Sequence, residues 1–182
     1  MAALLLVSSC GGTGSGSGRT NTTTNEATSS GATTSPNTSE SAGTGSPLAD
    51  LDPCQLMTAS EATELGISDP GKPGSTAGSP ECNWRVSGQF GVVISLSPDK
   101  GVDSFNYHGK TPSSINVGKH PATKVEDSLQ GTRVNTGLCN VFIAVSDSSA
   151  VQVIVTNSGA TDTALACERA ETVAEFADAK LP

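Results

Sequence analysis

Aromatic side chains are scarce in this chain: one Trp, one Tyr and four Phe among 182 residues. A core with so few must be built from Val, Ile, Leu and Ala, which bury less area each, so covalent reinforcement would help it. Cations are scarce too. Ten Lys and Arg stand against eighteen Asp and Glu, a net charge of -8, which excludes the basic footprint used on phosphate backbones, and no nucleic-acid partner is expected. Histidines number two, His108 and His120, and neither sits at metal-ligand spacing from another His, Asp or Glu. No two cysteines lie within a few residues of each other, so the paired ligands of a structural zinc site are missing, and no metal or other cofactor is expected. No serine of the body stands in a Gly-X-Ser-X-Gly frame. Sixteen acids between Asp50 and Asp178 offer no pair marked out for glycosidase chemistry and read as a solvated surface. Both histidines read as surface residues of loops, and enzymatic activity is not expected.

What is present begins with an address. Residues Ala2 to Val7 are uniformly apolar, and Val7, Ser8 and Ser9 place small residues before Cys10, as the end of a signal peptide requires. Residues 1–9 are therefore expected to be a lipoprotein signal peptide, with Cys10 lipidated on its thiol after cleavage. A single acyl chain binds membranes only marginally, so the anchor would be a diacylglyceryl group. No Lys or Arg precedes Arg19, where a signal peptide carries basic residues, and the expectation is that the true start lies upstream. From Gly11 to Pro47 there is no Leu, Ile, Val, Met or aromatic residue, and 26 of the 37 residues are Gly, Ser or Thr. Nothing there can repay the entropy of folding, so residues 10–47 read as a lipidated cysteine and a disordered tether reaching ~33 Å root-mean-square.

A single globular domain is expected over residues 48–182. In "DPCQLMTASEATELG" Asp52 is an N-cap with Pro53 behind it, Thr58 and Glu61 form a capping-box pair, and Gly66 suits a left-handed stop. Residues 68–80 hold three Pro and three Gly and read as a loop. The period then switches to two. Cys82, Trp84 and Val86 share one side of a strand, which makes Trp84 a core residue; Asn83, Arg85 and Ser87 take the other side. Val92, Ile94 and Leu96 repeat the pattern after a turn at Gly88. "DSFNYHG" reads as a short helix or turn, and "SSINVGKHPATKVE" as two strand pieces interrupted by Gly118 and Pro121. "LCNVFIAVSDSSAVQVIVTNSG" is a hairpin with one buried face. A final helix of about twenty residues, capped by Thr161 or Asp162, packs through Ala166, Ala170, Val173 and Ala177, with Glu168, Glu171, Glu175 and Asp178 mostly outside. Strands with helices on one face make an antiparallel α+β arrangement.

Cys54 and Cys82 are 28 residues apart, as are Cys139 and Cys167. Four cysteines allow three pairings; the two local ones, Cys54–Cys82 and Cys139–Cys167, are preferred because each ties a helix to a strand.

"DPCQLMTASEATELG", "ECNWRV", "VGKHPATKV", "LCNVFIAVS" and "ALACERAETVAEF" together resemble the actinobacterial lipoprotein family catalogued as domain of unknown function 3558. The resemblance covers residues 50–182. It implies an exported, membrane-anchored domain with a PsbP-like sheet-and-helix fold and carries no catalytic residues with it. The expected location is the cell membrane, extracytoplasmic face, lipid-anchored. The expected role is a binding or accessory module of the envelope, with a lipid or protein as partner; the alternative is an assembly role without a small ligand, and a hydrolase ranks third. An apolar cavity would favour ligand carriage, a filled core with an exposed patch a protein partner, and a polar cleft with a histidine beside a carboxylate would favour catalysis.

Overall fold

Seven strands make one sheet in which every neighbouring pair is antiparallel. The computed structural model describes residues 46–107, 110, 112–128, 135–159 and 162–182. The signal peptide, Cys10, the tether up to residue 45, His108 and Thr161 lie outside the described residues. The strands are β1 (Lys72–Thr76), β2 (Ser79–Val86), β3 (Phe90–Ser97), β4 (Ser113–Val117), β5 (His120–Ser128), β6 (Asn135–Ser146) and β7 (Ser149–Asn157), in spatial order β1-β2-β3-β7-β6-β5-β4. Two meanders, β1–β3 and β4–β7, thus join edge to edge where β3 meets β7. The one long connection, from β3 to β4, must travel from mid-sheet to the far edge.

The helices α1 (Ala59–Glu64) and α2 (Thr163–Asp178) and a 3-10 turn at Pro53–Gln55 belong to one face. Register explains why that face is apolar. Trp84, Val92, Val155 and Cys139 form one cross-strand row, and Cys82, Ile94, Val153 and Val141 form the next. Apart from Trp84, at 5% exposure, every residue of these rows is fully buried. α2 lays Ala166, Ala170, Val173, Ala174 and Ala177 on this surface, small residues at helical spacing that let it approach closely. It has sixteen residues, fewer than expected.

Both preferred disulfides are present. Cys54–Cys82 joins the 3-10 turn to β2 and Cys139–Cys167 joins β6 to α2, each with Cα atoms 5.0 Å apart. The first of them is packed tightly. A Cβ on Gly71 would fall 2.5 Å from the Trp84 indole and 2.6 Å from Cys82 Sγ, so only glycine fits. At the other helix start, Thr58 Oγ1 accepts from Glu61 N–H and the Glu61 carboxylate accepts from Thr58 N–H, the expected capping box. Gly66 follows at φ +78°, as expected of a left-handed stop.

Three expectations need correction. Residues 68–80 are not all loop, for β1 spans Lys72–Thr76 and turns into β2 through Ala77 and Gly78, both at positive φ. β1 is an exposed edge strand paired on one side only, which is where a strand tolerates Pro73. Pro121 does not interrupt its strand either; it sits second in β5, opposite Asn116. Asp178, placed mostly outside by its helical position, is 3% exposed.

Candidate functional site

Asp178 is buried because the β4–β5 turn wraps its carboxylate. Oδ2 accepts from Lys119 N–H at 2.9 Å, and Oδ1 accepts from His120 N–H at 3.1 Å and meets His120 Nδ1 at 2.6 Å. Gly118, at φ +60°, leaves no room for a Cβ beside Oδ2. Burial pushes the carboxyl pKa up, but the donated bonds from Lys119 and His120 outweigh it and hold Asp178 below its ordinary 3.8. His120, read as a surface residue, is instead the first residue of β5, with a side chain 13% exposed. A histidine beside a carboxylate is half of a catalytic frame. Among the described residues, however, no hydroxyl or thiol is bonded to His120, and the pair lines none of the four best-formed surface grooves. The arrangement holds a turn.

The same helical face carries a second ion pair with a structural role. Lys124, in the row of Val141, reaches Glu171 of α2 at 2.8 Å. Hydrogen bonding to that carboxylate raises the Lys124 pKa despite the cost of burial. Lys180 donates to both Glu61 oxygens at 2.8 Å, tying the end of α2 to α1.

The other face is where the surface opens. The β3–β4 connection crosses it, placing Phe105 and Tyr107 on Phe142 of β6 with ring centroids 4.7 and 5.4 Å apart. Gly101 lets the chain pass against the Asp147 carbonyl, fixing the start of this crossover to the β6–β7 turn. Burial raises the Tyr107 pKa, and its hydroxyl donates to Val102 O.

Beside the crossover the outer side of β3 faces open grooves, half-buried at Gly91 and Val93 and buried at Ser95 and Ser97. Its outward residues Gly91, Val93, Ser95 and Ser97 are no larger than valine and floor a trough. Arg85, Asn83 and Glu81 of β2 form one wall; Thr156, Ile154 and Gln152 of β7 form the other. Two open grooves, about 770 and 420 Å³, meet at Asn83 and Val93 and make the trough continuous. Arg85, opposite Gly91, stands at one end and Lys100, 4.2 Å above the Phe105 ring, at the other; Lys72, opposite Asn83, flanks the β2 wall near the middle, and Asp69 lines the same groove as Lys72 and Arg85.

Sequence reasoning placed Asn83 and Arg85 on the correct side of their strand but did not identify Ser95, Ser97 or Lys100. The alternation in "GVVISLS", with Gly and Ser as well as Val opposite the buried set, was the available signal. The four body cysteines stand where expected, and Trp84 is core as expected. Among the described residues no group of three His, Cys, Asp or Glu could hold a metal ion, and no helix is long and apolar enough to cross a membrane.

Fold and surface together define an α+β domain in which disulfides staple α2 and the 3-10 turn to one face of an antiparallel sheet, leaving an open trough on the other. The chain belongs to the family described as protein of unknown function (DUF3558), whose profile matches residues 5–180, nearly its whole length. No curated protein and no solved structure matches it.

Proposed function

We propose that the protein is a lipoprotein, anchored through a diacylglyceryl group on Cys10 at the extracytoplasmic face of the cell membrane, whose domain is a binding module working through the trough along β3. One observation carries the binding role. The helical face is sealed by side chains, whereas the trough presents hydrogen-bonding walls and cations over a floor of small residues. The location draws on the apolar run ending at Cys10 and on two disulfides, bonds that persist in oxidising compartments. Hydrolysis is the weaker reading, because the His120–Asp178 pair is engaged in holding a turn away from the trough.

A photo-crosslinking residue at Val93, compared with one at Glu168 on the outer surface of α2, tests the module in intact cells. A discrete adduct from position 93 alone, lost when Cys10→Ser frees the protein from the membrane, supports the reading. Equal adducts from both positions, or none from position 93, contradict it.

A further inference from the structure

Eight of the ten cations are among the described residues, and five of them have an oxygen partner. Lys110, Lys124 and Lys180 pair with carboxylates, Lys119 donates to the Leu181 carbonyl, and Arg169 donates to Asn157. The other three, Lys72, Arg85 and Lys100, have none among the described residues, and all three line the trough. A chain of net charge -8 has carboxylates enough to neutralise them, yet leaves these cations available along one surface.

The floor gives a second, independent sign of a ligand. Ser95 and Ser97 are 8% and 7% exposed, yet neither hydroxyl has a hydrogen-bond partner among the described residues. Among the described residues no fully enclosed side-chain oxygen lacks a partner, so these two open into the trough they line. Hydroxyls this deep are costly to leave unpaired unless water or a ligand reaches them.

The walls narrow the class of ligand. Asn83 Nδ2 donates to Glu81 and Gln152 Nε2 donates to Asn140, each at 3.1 Å. Each amide nitrogen keeps a second N–H beside its amide oxygen, so the walls offer donors and acceptors together, a mixture that matches the alternating N–H and C=O groups of an extended peptide. Glu81 would repel a continuous polyanion. Phe105 offers no stacking platform for a sugar, since Lys100 covers one side of its ring and Phe142 packs against it. We infer that the trough binds an extended peptide segment with acidic residues at its two ends, its backbone N–H and C=O groups meeting the mixed donors and acceptors of the walls and its carboxylates meeting Arg85 at one end and Lys100 at the other, with Lys72 adding positive charge beside the β2 wall. Gly91 to Ser97 spans about 20 Å of strand, the length of about six extended peptide residues.

This inference rests on the binding-module reading and is tested apart from it. The isotope-labelled full-length chain is titrated with acetyl-Glu-Gly-Ser-Gly-Ser-Glu-amide, with its Gln-for-Glu counterpart and with a six-unit uronic-acid oligosaccharide, while backbone amide shifts are followed. The acidic peptide shifts Gly91, Val93, Ser95 and Ser97 most. Arg85→Ala and Lys100→Ala, both at exposed positions, each weaken it about three- to tenfold, and salt weakens it further. Ser95→Val, which takes up floor space and removes a hydroxyl, abolishes the shifts while spectral dispersion shows the fold retained. Equal binding of the neutral peptide, binding of the oligosaccharide in its place, shifts centred elsewhere, or no binding at all would each overturn the inference. The Val93 crosslink decides separately whether the module reading survives.

Discussion

The carboxylate of Asp178, at the last residue of α2, accepts three hydrogen bonds from the β4–β5 turn, two of them from His120. One acid thereby fixes the far edge of the sheet to the helix that seals it. Lys119 adds to the clamp by donating to the Leu181 carbonyl.

The sign of the pH dependence follows from the lowered Asp178 pKa. Stability from the ionised carboxylate is fully present above its ordinary value of 3.8 and is lost as pH falls through the lower folded-state value. Glu61, held below its ordinary 4.5 by Lys180 and Thr58 against the upward push of burial, acts in the same direction. Urea unfolding should be insensitive to these two groups at pH 6 to 8 and weaken below about pH 4. Asp178→Asn should lose about 2 kcal/mol at neutral pH and flatten the acid limb; an unchanged acid limb contradicts the clamp.

Gly118 is part of the same device. Gly118→Ala brings a Cβ against the Asp178 carboxylate at a backbone angle of φ +60°, and should cost about 1–3 kcal/mol, measured by the urea midpoint. Gly78, also at positive φ but with nothing near its would-be Cβ, is the control; Gly78→Ala should cost less.

Each disulfide closes a separation of 28 residues. In the chain-entropy model that is worth roughly 3.5 kcal/mol apiece. Replacing Cys139 and Cys167 together by Ser should lower the guanidinium midpoint by that order, and removing both bridges should leave little stable domain. Since Cys139 and Cys167 are both buried, reductant should attack that bridge only through unfolding or local opening, and the Cys54–Cys82 bridge, whose Cys54 is half-buried, should be reduced first.

Gly71→Ala would press a methyl group into the only tryptophan and the Cys54–Cys82 bridge. A loss of about 1–3 kcal/mol is expected, with a red shift of Trp84 emission as the ring is displaced. Unchanged emission and unchanged midpoint would show that the close approach of Gly71 is relaxed in solution.

Local chemistry made much of this fold legible in the sequence. Thr58 and Glu61 cap a helix whatever surrounds them, and alternation put Cys82, Trp84 and Ile94 on one face before any neighbour was known. Non-local partners were not legible. β1 exists because β2 offers it an unpaired edge, which no count of Pro and Gly in residues 68–80 can reveal. Lys124 can lie on the helical face only because Glu171, 47 positions away, meets it there. Asp178 likewise looked like a solvated helix residue until a turn 58 positions earlier closed over it. The trough was hidden for the opposite reason: Gly91, Ser95 and Ser97 carry meaning through what they fail to fill.

The state of Cys10 decides where the protein resides, and intact-mass and peptide mass spectrometry of the protein recovered from the membrane fraction of its own host reads that state. A mature polypeptide starting at Cys10, its sulfur carrying a diacylglyceryl group and its four other cysteines oxidised in two bridges, is the expected product. A soluble, unlipidated chain that retains residues 1–9 and has free thiols would contradict it.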